Sequence, residues 1–272
     1  MLQELKCKSV FLKKVVLIIF YLFTSVKSEC QDCCIKLQNA IVQNGLTLLN
    51  TPYESGTLDK NTEERLTYCN DKFDCVTFIE YVLALSIKQI QNDTKSSDFE
   101  RLLTKIRYHD GVIDGFGSRL HYFTDWIIQN EKNGYIKNIT ENIGGIPWQK
   151  KLHFMSTNQK KYPRLNHPKD ISKIKNTEKA LSKIHFHYIP KNNVRMAQKE
   201  IQNGDIIAIT TNITGLDVVH TGIAILKNGH VHLMHASSDA KKVMISLESL
   251  DQYLNNKHNQ TGIMVLRPIC TD

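Results

Sequence analysis

Helical periodicity is strongest in the stretch that follows Asp74, and it constrains the fold more than any other feature. Apolar residues recur there every three or four positions, as in a helix with one broad buried face: Val76, Ile79, Val82 and Leu83. Asp74 stands where an N-cap residue accepts hydrogen bonds from the unpaired N–H groups of the first turn. The pattern predicts a helix from Cys75 to about Ile90.

Cys75 opens this predicted helix, which gives its thiol an unusual setting. Unpaired backbone N–H groups and the positive end of the helix dipole favour a thiolate, so we expect a lowered pKa and a nucleophile. The alternative is a buried structural cysteine at a helix start, because free cysteine behaves as a small apolar residue.

The first 28 residues have the composition of a secretory signal peptide. Four lysines precede a nine-residue apolar run at 15–23, and small or aliphatic residues follow it up to Ser28. This run is shorter than the ~20 apolar residues that span a bilayer. We expect cleavage after Ser28 and a secreted or periplasmic protein without a stable membrane anchor. The alternative is an uncleaved N-terminal anchor.

Net charge argues against a nucleic-acid partner. The chain carries 35 Lys and Arg against 27 Asp and Glu, a formal charge of +8. Removal of residues 1–28 would take away five lysines and one glutamate and leave +4. Such a mildly basic surface suits an anionic cell wall, whereas nucleic-acid binding needs a concentrated basic stripe.

Six cysteines remain in the predicted mature chain, and export would permit disulfides between them. If Cys75 stays free, five are left, so pairing within one chain is incomplete. Cys33 and Cys34 are adjacent, so we expect them to have different partners. A zinc site at Cys30, Cys33 and Cys34 is the alternative, although the sequence lacks a second matching pair of ligands.

The order of the predicted elements indicates an α+β fold. Helical patterns dominate the first half of the mature chain. Four short β-rich runs follow near its end: 204–210, 220–226, 231–236 and 262–267. Asn228-Gly229 is a hairpin signal between the second and third runs. We predict a single domain over 29–272, with the lysine- and asparagine-rich segment at about 131–200 as an insertion.

Two histidines fall on the β-rich runs, where a sheet could present them to Cys75. His220 opens the second run, and the Asn228-Gly229 turn can bring His235 beside it. A cysteine nucleophile needs a base within hydrogen-bond reach and a third group that orients the base. A lone strand histidine is more often structural, so the order of the surrounding motifs decides the interpretation.

Five short motifs follow one another along the chain: Pro52-Tyr53, Asp74-Cys75, Gly204-Asp205, His220-Thr221-Gly222-Ile223 and His235-Ala236-Ser237. In this order they resemble the NlpC-type cell-wall cysteine hydrolases, a papain-like group. Further pieces resemble one branch of that group, the N-acetylmuramoyl-L-alanine amidase-like proteins: Phe73–Phe78, Ile106–Tyr108, Ser118–Tyr122 with Asp125-Trp126, Phe154–Ser156 and Gly215–Asp217. The resemblance covers roughly residues 45–268, and the cysteine-rich set of Cys30–Cys34 and Cys69 lies outside the motifs.

The resemblance implies a papain-like fold and assigns the catalytic residues. Cys75 would be the nucleophile, His220 the general base, and His235 the group that orients and polarises His220. Tyr53 would line the site and help to bind the reacting carbonyl, together with the backbone N–H of Cys75. Asp74 would cap the helix and contribute to peptide binding. Loop packing of Tyr53 and simple capping by Asp74 are the alternatives.

Two further residues are candidates for substrate binding. Arg119 could pair with a substrate carboxylate in bidentate fashion, or with Asp114 or Asp125 as a structural ion pair. Trp148 lies in the segment at 131–200, which could wall a pocket in which the indole ring stacks on a sugar. We expect both residues to contact substrate.

Together with the resemblance, these residues predict a cofactor-free cysteine amidase that acts on peptidoglycan fragments (muropeptides). The branch implies cleavage of the amide between the N-acetylmuramoyl lactyl group and L-Ala, through an acyl-enzyme on Cys75. The alternatives are a stem-peptide endopeptidase of the same fold, a non-hydrolytic acyltransferase and a wall-binding module. A zinc amidase needs histidines and a carboxylate at ligand spacing, and the sequence lacks that pattern, so we predict no metal.

Overall fold

Helices are the main regular elements among the described residues in the first half of the chain. The computed structural model describes residues 31–91 and 96–270, so the predicted signal peptide and Cys30 lie outside the described residues. Four helices come first: α1 at 31–47, α2 at Cys75–Ile90, α3 at Ser96–Arg107 and α4 at Phe123–Lys132. The helix predicted from the stripe after Asp74 is confirmed at both ends.

Further helices lie in the second half of the chain: α5 at Phe154–Thr157, α6 at Pro168–Leu181, α7 at Val194–Ala197 and α8 at Leu250–Asn255. Pro168 begins α6, where the fixed φ of proline suits the first helical position. The buried side of α6 packs with Phe116 and Tyr122 in a small apolar cluster of its own. Within the described part of the chain, none of the helices is long and apolar enough to cross a membrane.

Within the described residues, eight strands form an antiparallel sheet: β1 at Ile136–Asn138, β2 at Ile146–Trp148, β3 at Phe186–Pro190, β4 at Ile206–Thr211, β5 at Val218–Lys227, β6 at His230–Ser237, β7 at Lys242–Ile245 and β8 at Gln260–Pro268. Their order is β2-β3-β8-β4-β5-β6-β7, and β1 also pairs with β8. Helices followed by an antiparallel sheet confirm the predicted α+β class.

The segment at about 131–200, predicted as an insertion, contributes directly to this sheet. It supplies β1, β2 and β3, and both β1 and β3 pair with β8. β1 and β2 are three residues long, which is too short for an alternating pattern to show in the sequence. The segment is therefore part of the same sheet as the strands that carry the two histidines.

The central strand β4 is buried along its whole length and separates two apolar layers. On one face, Ile206 belongs to the cluster built around α2 and α3. On the other face, Ile207 and Ile209 pack with Leu250 and Leu254 of α8. Helices therefore cover both faces, with α2 against β5 and β6 and α8 against β6 and β8.

A disulfide between Cys33 and Cys270 joins α1 to the segment just after β8. The adjacent Cys34 is a free thiol, and its Sγ accepts a hydrogen bond from the Cys270 N–H at 3.3 Å. The prediction that Cys33 and Cys34 have different partners is wrong, because only Cys33 is paired and both residues contact Cys270. Because Cys33 is oxidised, it is not available as a thiolate ligand for zinc.

Candidate active site

A capping box around Asp74 builds the start of α2. Its Oδ1 accepts hydrogen bonds from the backbone N–H groups of Val76 and Thr77 at 3.0 and 2.8 Å, and Thr77 Oγ1 accepts one from the Asp74 N–H at 2.9 Å. The predicted N-cap is confirmed. Cys75, the first residue of α2, is half-buried, and its N–H is one of those that an α-helix leaves unpaired.

Thr221 connects the start of α2 to strand β5. Its Oγ1 donates a hydrogen bond to the Cys75 carbonyl oxygen at 2.8 Å, and its side chain is buried. Because His220 precedes Thr221 in the strand, this bond brings the backbone of the candidate nucleophile to that of the candidate base. A single hydroxyl in a strand carries no sequence signal, so Thr221 was not predicted as a site residue.

The β5–β6 hairpin brings His220 and His235 together. Its turn uses Asn228 and Gly229 at φ values of 52° and 78°, the left-handed conformations of a two-residue hairpin. Nε2 of His220 lies 2.6 Å from Nδ1 of His235, and the two rings are nearly perpendicular, at 85°. The structure therefore contains the predicted hairpin and pairs the two predicted histidines.

The hydrogen bond between the rings uses Nε2 of His220 and leaves Nδ1 available for proton transfer. When Nε2 of His220 donates its proton to His235, Nδ1 of His220 carries a lone pair and can accept a proton. In the reverse assignment Nδ1 of His220 would already be protonated and would not act as a base. The general-base role therefore requires the tautomer in which His220 donates to His235, as inferred from this network.

Burial sets the protonation states of Cys75, His220 and His235. It lowers the pKa of His220 to about 3, with the neighbouring His235 as the second cause, and it lowers the pKa of His235 to about 4. Burial also raises the pKa of the Cys75 thiol to about 12; the charge of Asp74 adds to this rise, and hydrogen bonds from Thr221 oppose it. Near neutral pH the site therefore holds a thiol and two neutral imidazoles.

The prediction of a lowered Cys75 pKa is wrong. A helix N-terminus stabilises a nearby anion by about 0.3 to 2 kcal/mol, whereas the loss of water around a buried group can shift a pKa by several units. Asp74, which caps the helix, also places a negative charge beside the thiol and acts in the same direction as burial. Any nucleophilic role of Cys75 thus requires a base that removes the thiol proton during attack.

Tyr53 lies beside the start of α2. Its backbone forms a bridge with Phe73, the residue before Asp74, and its N–H donates to the Lys241 carbonyl at 2.9 Å. Burial raises the pKa of its hydroxyl, and charges on Cys75 and Asp74 are the next causes, so this hydroxyl lies within electrostatic reach of both. It stays protonated at neutral pH and can donate a hydrogen bond to a bound carbonyl.

Tyr253 of α8, which no sequence pattern indicated, packs against both histidines. Its ring lies 6.5 Å from that of His220, centroid to centroid, at an interplanar angle of 28°. It meets His235 edge-on at 5.5 Å. Burial raises the pKa of its hydroxyl to about 12. Because α8 spans only six residues, helical periodicity could not reveal it.

Asp217 holds the start of β5. Its buried carboxylate accepts hydrogen bonds from the N–H and Oγ1 of Thr124, at 2.7 and 2.8 Å, and from the Val218 N–H at 2.7 Å. Gly215 takes φ +78°, and a Cβ at this position would lie 2.9 Å from Nδ1 of His153. The Gly215–Asp217 motif is thus structural: it joins the first turn of α4 to the strand that carries His220, the candidate base.

The sequence of this chain matches one known protein family. Residues 43–263 match the N-acetylmuramoyl-L-alanine amidase-like (AmiA-like) family. The chain belongs to this family. The matched range is close to residues 45–268, which the motifs cover. In a separate comparison, the chain shows no significant match to a curated protein sequence.

Solved structures share the fold of this amidase-like protein. An N-acetylmuramoyl-L-alanine amidase from Bacteroides uniformis is 39% identical, with a TM-score of 0.81 over 86% of this chain and 99% of that one. A Bacteroides fragilis protein described as a candidate xylanase is 42% identical, with a TM-score of 0.79 over 83% and 99%. A Legionella pneumophila protein at 22% identity and a TM-score of 0.66, over 86% and 89%, is similar in fold alone.

Arg119 of this amidase-like protein is buried in a network of ion pairs and hydrogen bonds. Its side chain is 8% exposed, and its guanidinium donates to Glu64 at 2.6 and 2.8 Å, to Asp59 at 2.7 Å and to a backbone carbonyl at 2.9 Å. All three guanidinium nitrogens are engaged, so no bidentate edge remains for a substrate carboxylate. These contacts do not support the predicted substrate contact, and the partners of Arg119 differ from the predicted Asp114 and Asp125.

Trp148 lies away from the two histidines. It ends β2 at one edge of the sheet, and β3, β8 and β4 separate β2 from β5. At ~4.8 Å between neighbouring strands, four steps amount to about 19 Å along the sheet. The indole packs against Phe186 and Tyr188 of β3. The structure does not place Trp148 with Cys75 and His220, so it does not support the predicted sugar contact.

The two histidines are hydrogen-bonded to each other. Nε2 of His220 and Nδ1 of His235 share a hydrogen bond, which occupies one nitrogen of each ring. Within residues 31–91 and 96–270, no group of three His, Cys, Asp or Glu side chains is placed to hold a metal ion.

Proposed function

We propose that this protein is a cysteine amidase that hydrolyses the amide between the N-acetylmuramoyl lactyl group and L-Ala in soluble peptidoglycan fragments. Membership of the amidase-like family supports the reaction and the substrate class. The observation that carries the chemistry is the contact of the Cys75 backbone with Thr221, directly beside the hydrogen-bonded pair of His220 and His235.

In the first half-reaction, Nδ1 of His220 takes the proton of the Cys75 thiol while the sulfur attacks the lactyl carbonyl carbon. A C–S bond forms, and the carbonyl electron pair moves onto the oxygen. Burial keeps His220 neutral, which is the form that a general base needs. His235 accepts the hydrogen bond from Nε2 and so stabilises the imidazolium as it forms.

The negative charge that develops on the carbonyl oxygen requires hydrogen-bond donors. The unpaired N–H of Cys75 at the start of α2 and the protonated hydroxyl of Tyr53 are the candidates. His220 then returns the proton to the L-Ala nitrogen, the C–N bond breaks, and a muramoyl thioester remains on Cys75. Water that loses a proton to His220 attacks this thioester, releases the sugar with a free lactyl carboxylate and restores the thiol.

We assign the protein to the NlpC-type branch of the papain-like hydrolases. A cysteine at the first position of α2, and two histidines on the neighbouring strands β5 and β6 of an antiparallel sheet, support this assignment. Asp74 retains a proposed role in binding the peptide. Its cap hydrogen bonds all go to Oδ1, which leaves Oδ2 available to a substrate N–H.

Other activities predict different products or a different site. A stem endopeptidase or an acyltransferase would use the same thiol and histidine pair, so only the products distinguish them. A wall-binding module would not need that arrangement. Glycosidases use two carboxyl groups about 5 to 9.5 Å apart. The site described here contains a thiol and two imidazoles, with Asp74 as its carboxylate, which favours amide over glycoside cleavage.

We also propose that the protein is exported and acts in the periplasm or outside the cell. The basic and apolar N-terminal segment supports export. The disulfide between Cys33 and Cys270 supports it independently, because structural disulfides persist mainly in oxidising compartments. Soluble muropeptides would be the partners in that compartment.

Digestion of a defined muropeptide, with the products identified by mass, tests the proposed function. We expect a sugar with a free lactyl carboxylate and an intact peptide that begins with L-Ala, and no such products from Cys75→Ala. Cys69→Ala is the matched control, because it removes another half-buried free cysteine and should keep full activity. A product in which L-Ala remains on the sugar would reveal a stem endopeptidase and contradict the proposal.

A further inference from the structure

Tyr253 forms part of a cluster of three aromatic rings around the proposed base. Its ring lies nearly parallel to that of His220, at 28°, whereas His235 stands edge-on to both, at 80° to Tyr253 and 85° to His220. Each histidine therefore contacts the tyrosine as well as the other histidine. This packing restricts how far either imidazole can tilt.

Helix α8 holds Tyr253 in a fixed position. Leu250 and Leu254 are fully buried in the apolar layer that covers this face of the sheet. Ser249 and Gln252 form a capping box, and the Tyr253 N–H donates to the Ser249 carbonyl at 2.8 Å. The tyrosine ring is therefore supported by packed side chains and by a capped helix.

We propose that Tyr253 is a positioning residue for the cysteine amidase reaction, an inference that rests on the proposed function. The hydrogen bond from Nε2 to His235 and the Cβ–Cγ bond each fix one end of the His220 ring, but the ring can still rock about the line between these two ends. The Tyr253 ring, stacked beside His220 at 6.5 Å between centroids, limits this motion. Nδ1 of His220 is thereby held in one orientation for proton transfer from Cys75.

The aromatic face of Tyr253 carries this role, and its hydroxyl does not. Near-parallel packing against an imidazole requires an aromatic ring, which phenylalanine also provides. Burial keeps His220 neutral, and the Tyr253 ring is one of the groups packed beside this imidazole. Tyr253→Phe should therefore preserve the orientation and the protonation state of His220, whereas Tyr253→Leu should lose both.

Other groups that influence His220 remain unchanged in these variants. His235 and Lys257 lower its pKa, Asp239 raises it, and Asp239 and Lys257 form an ion pair at 2.6 Å. A change in the pH dependence of a Tyr253 variant therefore reports the loss of the ring. Because water would enter, the pKa of His220 should rise from about 3 towards its ordinary value near 6.5, and the acid limb should move to higher pH.

The test compares wild type, Tyr253→Phe, Tyr253→Leu and a control, Tyr135→Leu. Tyr135 is a buried tyrosine near Ile90, at the far end of α2, about 22 Å from Cys75 along the helix axis. For Tyr253→Leu we expect kcat to fall about 10- to 100-fold with KM little changed, because a misplaced catalytic group costs rate more than binding. Tyr253→Phe should keep the wild-type kcat and acid limb, and Tyr135→Leu should lose stability only.

Equal kcat values for Tyr253→Leu and Tyr135→Leu, after correction for the folded fraction, would overturn the positioning role. So would a Tyr253→Phe variant that loses as much as Tyr253→Leu. A measurement without substrate separates this inference from the proposed function: the rate of Cys75 alkylation by iodoacetamide against pH, followed by mass. In Tyr253→Leu we expect its acid limb to move to higher pH.

Different results would contradict the proposed amidase activity and the positioning role of Tyr253. If wild type leaves muropeptides intact but Tyr253→Leu still shifts the alkylation profile, the proposed amidase activity is wrong and the positioning of His220 stands. If wild type cleaves muropeptides and neither kcat nor the alkylation profile changes in Tyr253→Leu, the positioning role alone is wrong.

Discussion

Replacement of Thr221 by Val would test how the site is held together. The change removes the hydroxyl that donates to the Cys75 carbonyl at 2.8 Å and keeps the branched shape of a side chain that is 1% exposed. One buried hydrogen bond contributes about 1 kcal/mol to stability. In a chain of this size, that loss lowers Tm by about 2–4 °C. The Thr221→Val variant should therefore fold.

The loss of activity should exceed the loss of stability. The Thr221 hydroxyl joins the residue that carries the thiol to the strand that carries the base, and hydrogen bonding from Thr221 also opposes the rise in the pKa of Cys75. A displacement of ~1 Å between reacting groups can cost about 100-fold in rate. We therefore expect kcat to fall by about 10- to 100-fold, KM to change little, and the pKa of the thiol to rise further.

Muropeptide turnover and urea unfolding, measured on the same preparations, provide the assay. Ser86→Ala is the matched control, because the Ser86 hydroxyl is buried in α2, donates to the Val82 carbonyl at 2.7 Å and lies about 16 Å from Cys75 along the helix. It should lose similar stability and keep its kcat. If Thr221→Val loses no more kcat than Ser86→Ala, the link between the start of α2 and β5 does not organise the site.

The remaining predictions concern pH, an ion-pair network and the disulfide. kcat/KM should hold on the acid side until the pH approaches the pKa of His220, about 3, and a pH–rate profile with an acid limb near 6.5 would contradict a buried neutral base. Stability should fall as pH drops below 6.5, because the folded-state pKa values of His220 and His235 are about 3 and about 4, and the unfolded chain binds these protons first. Urea titrations should show a loss of several kcal/mol by pH 4 from the two residues together. Arg119→Met should cost about 3–5 kcal/mol, because it leaves the buried Glu64 carboxylate short of a partner, and kcat/KM of the folded fraction should not change. A raised KM with unchanged stability would restore a substrate role for Arg119. Cys33→Ser combined with Cys270→Ser should cost about 2–5 kcal/mol in urea unfolding and leave kcat intact, whereas a loss of kcat would show that the disulfide supports the site.

Local signals were sufficient to predict the two elements that carry the site. The apolar stripe and the N-cap at Asp74 located α2, and Asn228-Gly229 located the β5–β6 hairpin. Both patterns depend on interactions between residues a few positions apart, which the sequence displays directly. The order of the motifs then associated Cys75 with the two histidines of that hairpin.

The predictions that the structure does not support concern properties that residues distant in sequence determine. The partners of Arg119 come from the loop at 57–64, which has no periodic pattern. The position of Trp148 depends on the strand order, in which β8, the last strand in sequence, lies between β3 and β4. The pKa of Cys75 depends on its burial, which outweighs the local effect of the helix end. Tyr253 reaches the histidines from a helix that is too short to predict.

Capture of the acyl-enzyme tests most directly whether Cys75 carries the muramoyl group. Wild-type protein would be mixed with a defined muropeptide, quenched in acid during turnover and digested, and the peptide that contains Cys75 would be weighed by mass spectrometry. We predict an added mass equal to the N-acetylmuramoyl acyl group on Cys75, and no adduct in Cys75→Ala. Turnover without any adduct on Cys75, or an adduct that contains stem amino acids, would contradict this mechanism.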